Sequence, residues 1–331
     1  MSIERIARTI VVLLAGLVVV ILGWWLFVNV PTDTTDLLGI VLVLLLVPFG
    51  FRTGNRIANS IIPEYNVASV AVEGPITRDG ADSFPPSKPG KPGADDLVDL
   101  VNRADDDSNV DALIVELNTP GGEVVPSDDI RLAVERFDGP TIAYATDVCA
   151  SGGYWIASGC DELWARDGSI VGSIGVRGSR ITAGDLLGRL GIEYEQLAAG
   201  EYKEAGVPLK DLESDERAYL QGIVDEYYDK FVETVAEGRK LDPADIRETE
   251  ARVYLGSTAN EMGLVDDIGT RSAVEDRLET LLDESVSVAE FEPEVGITSR
   301  LRLSAERIAY AAGTGVAMHL VDDDGFRLRL D

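Results

Sequence analysis

Residues 149–158 read Cys-Ala-Ser-Gly-Gly-Tyr-Trp-Ile-Ala-Ser, a run in which small residues surround Ser151 and an apolar segment follows it. Glycines at positions 152 and 153 permit backbone dihedrals that other residues avoid, and they let a substrate approach the main chain closely. A helix that begins here would direct its free N–H groups and the positive end of its dipole toward the serine. The stretch therefore predicts a nucleophile displayed at a sharp turn. A simple tight turn before a buried helix is the alternative.

The segments before this turn alternate between strand and helix patterns. Residues 112–117 and 141–145 are short apolar runs of strand character. Residues 127–137 have helical spacing, with Ser127 as the expected N-cap. Strand, helix and strand in this order predict parallel βαβ units with right-handed crossovers, and hence an α/β fold.

Glycine-rich turns follow two of these strands, at residues 118–122 (Asn-Thr-Pro-Gly-Gly) and 149–153. Active sites of parallel sheets lie beyond the carboxyl ends of the strands, so we expect both turns to form one site. Further along, residues 192–197 alternate like a strand. Residues 214–240 predict a long helix whose apolar stripe is either core or a subunit contact.

The charge balance excludes some classes of function. The chain has 331 residues and a formal net charge of −29, and only six of its 29 basic residues are lysines. An acidic, lysine-poor domain argues against nucleic-acid binding. Dispersed carboxylates are typical of proteins that stay soluble in high salt, where screening weakens their mutual repulsion. We therefore expect a halophilic source, with an ordinary acidic protein as the alternative.

The two cysteines, Cys149 and Cys160, do not make a disulfide framework, and no Cys or His cluster has the spacing of a metal site. Both are expected to be small buried residues near the predicted site. The sequence thus predicts neither a metal nor a cofactor.

Two apolar runs near the N-terminus predict a membrane anchor within residues 1–56. The first, residues 10–30, is long enough to span a bilayer, and Trp24 and Trp25 lie toward its end as interfacial aromatics do. The second, residues 37–51, is shorter and contains a proline, so it either spans with mismatch or lies re-entrant. A signal peptide is the alternative for the first run.

Arginines flank this pair of runs and predict its orientation. Arg5 and Arg8 precede the first run, and Arg52 and Arg56 follow the second. The positive-inside rule then gives a two-pass hairpin in the cell membrane, with both ends and the large domain on the cytoplasmic side. If the second run does not span, the large domain lies outside.

A serine hydroxyl needs a base before it can act as a nucleophile. His319 is the only histidine and lies far along the chain from every glycine-rich turn, so a Ser-His-Asp triad is not favoured. A lysine kept neutral is the alternative, because burial lowers the pKa of a lysine toward the range in which general bases work. Lys203 alone among the lysines falls in a turn-rich segment beside a predicted strand. An ordinary surface lysine is the competing interpretation.

Several motifs, taken in order from residue 67 to residue 282, resemble the signal peptide peptidase A family, also called protease IV or peptidase family S49. The resemblance is to the short form, which has one catalytic repeat. The motifs are Asn-Thr-Pro-Gly-Gly at 118–122, Ala-Ser-Gly-Gly-Tyr at 150–154, Gly-Ser-Ile-Gly-Val at 172–176, Gly-Glu-Tyr-Lys at 200–203, Leu-Gly at 255–256 and Gly-Leu-Val-Asp at 263–266. Thr119 stands where the family usually has serine, which keeps a hydroxyl at that position.

The resemblance implies a ClpP/crotonase-like fold, a spiral of ββα units, for residues 64–284, and it leaves residues 285–331 as an extension of unknown role. It also implies a catalytic dyad of Ser151 and Lys203. Ser173 matches the family serine that orients the lysine.

The same resemblance places Gly122 in the oxyanion segment. We add the N–H of Gly152 as the second oxyanion donor, since such donors must converge where the charge develops. Contacts to the substrate are assigned to three neighbouring residues: Gly121, Gly153 and Tyr154.

The implied function is that of a membrane-anchored serine endopeptidase that cleaves short apolar peptides, such as released signal peptides, without a metal or nucleotide. Its partners would be those peptides, membrane lipid around residues 10–51, and further copies of the chain in a ring. Three other classes are considered: a membrane-bound ClpP-class protease that works with a stomatin-like partner, a crotonase-type acyl-CoA enzyme, and a non-catalytic scaffold. The presence of Ser151, Lys203 and both glycine-rich turns argues against the last two.

Overall fold

The structure is a computed structural model, and it describes residues 65–80 and 91–293 together with isolated positions between residues 10 and 48. The chain divides into two compact units. The first comprises residues 1–67 with 287–289, and the second comprises residues 68–286 with 290–331. Within the first unit, the carbonyl of Ser287 accepts hydrogen bonds from the N–H groups of Asn66 and Val67, at 3.0 and 3.2 Å.

Short strands and helices alternate along the described chain. The strands are β1 (Val67–Glu73), β2 (Ala112–Thr119), β3 (Thr141–Ala150), β4 (Glu162–Ala165), β5 (Ile170–Gly172), β6 (Val253–Leu255), β7 (Asp267–Ile268) and β8 (Val288–Glu290). The helices are α1 (Ala94–Asp105), α2 (Val124–Glu135), α3 (Gly152–Ala157), α4 (Gly184–Arg189), α5 (Ser214–Arg239), α6 (Pro243–Glu248), α7 (Gly256–Glu261) and α8 (Arg271–Leu282).

One mixed sheet organises the domain, and its strand order is β6-β5-β3-β2-β1-β8, with β4 pairing β3 and β7 off this path. Strand β3 is parallel to β2, β4 and β5, and β4 is parallel to β7. Strand β6 is antiparallel to β5. The α/β class predicted from the sequence is confirmed, and so is the parallel pairing of the two strands that precede the glycine-rich turns.

Strand β3 pairs with two different strands along the same side. Residues 142–145 pair with β4, and residues 148–150 pair with β5. The buried hydroxyl of Ser169 lies where this fork opens, 2.9 Å from the carbonyl of Ala145 and 2.8 Å from that of Thr146. The hydroxyl thereby donates to carbonyls that would otherwise have no hydrogen-bond partner between β4 and β5. The fork brings the end of β5 beside the end of β3.

Helix α3 lies at the centre of the packing around this strand end. All six of its residues are buried, and it contacts β2, β3, α2 and α5. The indole N–H of Trp155 donates to Asp128 Oδ1 of α2 at 2.9 Å, and the Trp155 ring lies 4.6 Å from the ring of Phe231 in α5. The helix is therefore fixed by neighbours on two sides.

Helix α5 has two halves with different surroundings. Near its C-terminal end Phe231, Val232 and Val235 are buried. Toward its N-terminal end the stripe residues Leu220 and Val224 are half-buried, and Tyr227 is exposed at 39% of its surface. The apolar stripe predicted as either core or subunit contact is thus core over one half and open in the single chain over the other.

Two local predictions are wrong. The helix expected to begin after an N-cap at Ser127 begins at Val124 with Glu123 as its N-cap, and the Ser127 hydroxyl donates to the Glu123 carbonyl at 2.8 Å inside the helix. Residues 192–197 do not form a strand. Their apolar members are exposed, Leu197 at 91%, so there is no buried face to hold an alternating segment in a sheet.

The predicted membrane spans, residues 10–30 and 37–51, fall mostly outside the described residues and stay a prediction. Among the helices that the structure does describe, none combines the length and the apolar character required to cross a bilayer.

Candidate active site

Ser151 occupies a strained turn between β3 and α3. Its backbone dihedrals are φ 53° and ψ −118°, on the side of φ that favours glycine. The Ser151 N–H donates to the carbonyl of Gly172 at 2.9 Å, and its carbonyl accepts from the N–H of Trp155 at 2.9 Å. Such a conformation costs about 1–3 kcal/mol and persists only where the surroundings impose it. The half-buried side chain is thus displayed at the end of the strand.

The two glycine-rich turns come together, as the sequence predicts. A Cβ added at Gly121, whose φ is +88°, would lie 2.5 Å from the N atom of Gly152 and 2.8 Å from the Cβ of Ser151. A Cβ added at Gly153 would lie 2.6 Å from Cγ2 of Thr119. Glycine is required at these positions because neighbouring backbone and side-chain atoms leave no room for a Cβ.

Two backbone N–H groups lie beside Ser151. The N atom of Gly122 is 3.2 Å from the position of a Cβ on Gly152, and within the described chain neither glycine's N–H donates to a backbone or side-chain acceptor. The Gly121 N–H, by contrast, donates to the Thr119 hydroxyl at 3.0 Å. Gly122 and Gly152 therefore supply adjacent donors that are free to bind an oxygen anion.

Ser173 lies next to Ser151 at the end of the neighbouring strand. Ala150 is opposite Gly172 in the pairing of β3 with β5, so the residues that follow them emerge side by side. Ser173 also has a positive φ of 52°, and its N–H donates to the carbonyl of Arg252 at 2.8 Å. The structure thus brings Ser173 to the site.

The segment of Lys203 and the helix that follows Ser151 contact different parts of α5 in the single chain. Lys203 is exposed, and in the part of the chain that the structure describes its ammonium has no hydrogen bond or ion pair. Its neighbour Tyr202 stacks on Tyr219 in the first turns of α5, with ring centroids 4.9 Å apart. Helix α3, which follows Ser151, instead contacts α5 at Phe231. Twelve helical residues separate these two anchor points, a rise of about 18 Å.

The predicted contact of Tyr154 with substrate is corrected by its position. Tyr154 is fully buried, and its hydroxyl donates to the carbonyl of Leu264 at 2.7 Å. Burial also raises the pKa of this phenol well above its ordinary value, although the nearby Arg239 partly opposes the effect. Its role is to hold α3 in place.

The two cysteines are free and buried, as expected. Burial raises the pKa of the Cys149 thiol to about 12, with Arg239 acting in the opposite direction. Since the thiolate is the reactive form of cysteine, Cys149 is chemically inert despite its place two residues before Ser151.

Two contributors to the site escaped the sequence reasoning. Ser127 packs its hydroxyl against Gly152, where a Cβ would be 2.4 Å from Ser127 Oγ. The carbonyl of Gly172 holds the Ser151 N–H. The first depends on a helix crossing and the second on strand register, and no local pattern in a sequence specifies either.

Residues 136–285 match the family model described as peptidase family S49. The match includes Ser151, Ser173 and Lys203, and it begins after the glycine turn at 121–122. This part of the chain is thus similar to the peptidase S49 domain.

Similar proteins carry related names. A candidate protease of Methanocaldococcus jannaschii is 34% identical over 57% of this chain and 61% of its own length. A candidate signal peptide peptidase SppA of Enterococcus faecium is 33% identical over 56% of this chain and 54% of its own. Protease 4 of Haemophilus influenzae is 29% identical over 71% of this chain and 38% of its own. The chain thus spans less than two thirds of these relatives.

Solved structures with a similar arrangement have low sequence identity. The 1510-N membrane protease from Pyrococcus horikoshii, described as specific for a stomatin homolog, is 16% identical with a TM-score of 0.44, over 75% of this chain and 98% of that one. A single-residue mutant of ClpP1 from Listeria monocytogenes is 14% identical with a TM-score of 0.42, over 62% of this chain and 94% of that one.

Proposed function

We propose that this chain is a membrane-anchored serine peptidase in which Ser151 attacks a peptide carbonyl and Lys203 acts as the general base. The observation that supports this most is the turn at Ser151, which displays a hydroxyl in a strained conformation beside two N–H groups without acceptors. Strain of this kind clusters at functional sites, because a merely structural turn would use glycine. The similarity of residues 136–285 to the peptidase S49 family model supports the same chemistry.

The donors at Gly122 and Gly152 are proposed as the oxyanion hole. In acyl transfer the carbonyl oxygen becomes negatively charged in the tetrahedral intermediate, and fixed N–H groups stabilise that charge without reorganising. Gly152 is also the first residue of α3 and lies at the positive end of its peptide dipoles.

A neighbouring copy of the chain is proposed as the source of Lys203. The segment that we name the arm, residues 177–227, exposes large apolar side chains, among them Ile181 at 86%, Leu190 at 65% and Leu197 at 91%. Exposed large apolar side chains in such number support the proposal that this segment is an association site. A second copy that covers the arm would take Lys203 out of water, which disfavours the charged ammonium and allows the amine to accept a proton.

The proposed reaction has two halves. As Ser151 Oγ bonds to the carbonyl carbon, its proton passes to the neutral amine of Lys203, which then protonates the departing amine as the C–N bond breaks. A water molecule next gives its proton to the lysine and attacks the acyl ester, and the proton returns to Ser151 as the peptide acid leaves. Ser173, adjacent to Ser151, is proposed to orient the lysine through its hydroxyl.

The proposed substrates are short apolar peptides, such as signal peptides after their release. The two N-terminal apolar runs, if they anchor the chain, would hold the site beside such peptides. A ring of copies would admit extended chains and exclude folded proteins.

A complementation experiment tests the dyad and its division between copies. Ser151→Ala and Lys203→Ala are each expected to abolish hydrolysis of a quenched apolar peptide by the full chain in detergent. Co-assembling the two inactive variants in equal amounts restores about a quarter of the wild-type rate if each site takes its serine and lysine from different copies of a ring. Lys230→Ala, which changes an exposed lysine on α5, is the matched control and should stay active.

Two outcomes contradict the proposal in different ways. Near-normal turnover of Lys203→Ala would remove the lysine from the mechanism altogether. A co-assembled mixture that has the wild-type oligomeric size and stays inactive would show that each copy completes its own dyad.

A further inference from the structure

Thr119 is the last residue of β2 and connects three backbone segments around Ser151. Its side chain is completely buried, and in the pairing of β2 with β3 it lies opposite Cys149. Its hydroxyl and methyl groups contact backbone groups and glycines, so we expect its effect on the reaction to pass through the backbone that it holds.

The Thr119 hydroxyl makes two hydrogen bonds with distinct roles. It donates to the carbonyl of Gly74, just beyond β1, at 2.6 Å, and it accepts from the N–H of Gly121 at 3.0 Å. The second bond engages the Gly121 N–H. The next N–H along the chain, that of Gly122, is left without an acceptor among the described residues and lies close to Gly152.

The Thr119 methyl group makes a separate contact. Its Cγ2 atom would be 2.6 Å from a Cβ on Gly153, so it packs directly against the start of α3. The hydroxyl thus fixes the glycine turn, and the methyl fixes the spacing between that turn and the helix that follows Ser151.

We propose that Thr119 is the positioning residue of the oxyanion site, and that its hydroxyl sets the direction of the Gly122 N–H. This inference rests on the proposed peptidase function. Fixed donors stabilise a developing oxyanion only when they are already aimed at it, so a turn free to rotate would lose most of that effect in the transition state. Loss of the hydroxyl should therefore lower kcat while leaving substrate affinity nearly unchanged.

Three substitutions separate the hydroxyl from the methyl. Thr119→Val keeps the shape and removes both hydrogen bonds, Thr119→Ser keeps the hydrogen bonds and removes the methyl, and Thr119→Ala removes both groups. We expect Thr119→Val to lower kcat by roughly 10- to 100-fold with KM within about twofold, since losing one oxyanion donor outright costs about 100- to 1,000-fold. Thr119→Ser should keep kcat within about threefold of wild type.

Thr141→Val is the matched control. Thr141 is also buried, its hydroxyl donates to Asp161 Oδ2 at 3.0 Å and accepts from the Asp161 N–H at 2.9 Å, and it lies at the opposite end of β3. Its variant should lose stability in urea unfolding to a similar extent and retain kcat. If Thr119→Val does not fold, the comparison of Thr119→Ser with Thr119→Ala isolates the hydroxyl, because these two variants differ in that group alone.

The assay uses the full chain in detergent with a quenched apolar peptide, and Ser151→Ala as the blank. Equal loss of kcat in Thr119→Ser and Thr119→Ala, or wild-type kcat in a folded Thr119→Val, overturns the inference. Hydrolysis by the wild type that equals the Ser151→Ala blank overturns the proposed function instead.

Discussion

Gly121 packs against Ser151, so that a methyl group added to the glycine would be 2.8 Å from the Cβ of the serine and 2.5 Å from the N atom of Gly152. Gly121→Ala should therefore push the oxyanion turn away from the nucleophile. The backbone strain at φ +88° and the overlap together should cost about 2–4 kcal/mol of unfolding free energy, and kcat should fall by more than about tenfold. Urea unfolding and peptide hydrolysis measure the two effects.

Gly222→Ala is the control for that substitution. Gly222 is an exposed position within α5, and nothing lies within 4 Å of an added Cβ. Alanine there should stabilise the protein by about 0.5–1 kcal/mol, because glycine is unfavourable inside a helix. A Gly121→Ala protein that behaves like Gly222→Ala would show that the two glycine turns are not in contact.

The parts of the site that the sequence predicts are those built from local signals. A serine before two glycines and a helix specifies its own turn, and Ser151 has the expected display. The glycines at 121–122 and 152–153 pack together because parallel strands end at one edge of a sheet. The register that places Ser173 beside Ser151 depends on β5 pairing with the second half of β3, which no single segment encodes.

The parts that the sequence does not predict depend on which other part of the protein, or which other copy, packs against a given side chain. An apolar stripe on α5 has the same period whether a core or another copy covers it, so its two halves are indistinguishable before the structure is known. Lys203 has the same difficulty, because its own segment does not specify whether another copy of the chain covers it. Ser127 is misassigned as a cap, since a serine one turn inside a helix can donate to the carbonyl four residues back, as it does here.

Backbone strain at Ser151 predicts a difference in unfolding free energy between two variants that lack the hydroxyl. Ser151→Ala retains a side chain at φ 53° and should have the stability of wild type. Ser151→Gly removes strain worth about 1–3 kcal/mol and adds about 0.4–1 kcal/mol of unfolded-state entropy, so it should be about 1 kcal/mol more stable than Ser151→Ala. Chemical denaturation of the two proteins side by side measures this. Lower stability of the glycine variant would mean that the turn is not strained.

An ion pair between β4 and α8 predicts part of the acid sensitivity of the fold. Arg277 donates to both carboxylate oxygens of Glu162, at 2.6 to 3.2 Å, and the Trp164 indole N–H donates to it at 2.9 Å. The Arg277 hydrogen bonds hold the pKa of Glu162 below its ordinary value, against an opposing effect of burial. The pair therefore stabilises the fold at pH above the unfolded pKa of about 4.3, and the stabilisation is lost as pH falls through the folded pKa.

Glu162→Gln tests whether this ion pair causes part of the acid sensitivity. The variant should be less stable than wild type at pH 7, and its urea midpoint should fall less steeply than that of wild type as the pH is lowered below about 4.3. Glu261→Gln, which changes an exposed carboxylate on α7, should leave the slope unchanged. Parallel pH profiles of wild type and Glu162→Gln would contradict the assignment.

In the ion pair of Arg239 with Asp266, we expect removal of the two partners to cost different amounts of stability. The Arg239 side chain is 2% exposed and that of Asp266 is 41% exposed. Asp266→Asn leaves a buried cation without its counter-charge and should cost about 3–5 kcal/mol, which is typical when a buried pair is broken. Arg239→Met leaves a carboxylate that water can reach, so it should cost less.

The double variant should have nearly the stability of Arg239→Met, because the buried charge is then absent. Urea unfolding of wild type, both single variants and the double variant gives the coupling energy between the two residues. A larger loss from Arg239→Met than from Asp266→Asn would show that the arginine contributes through packing against α3 rather than through its charge.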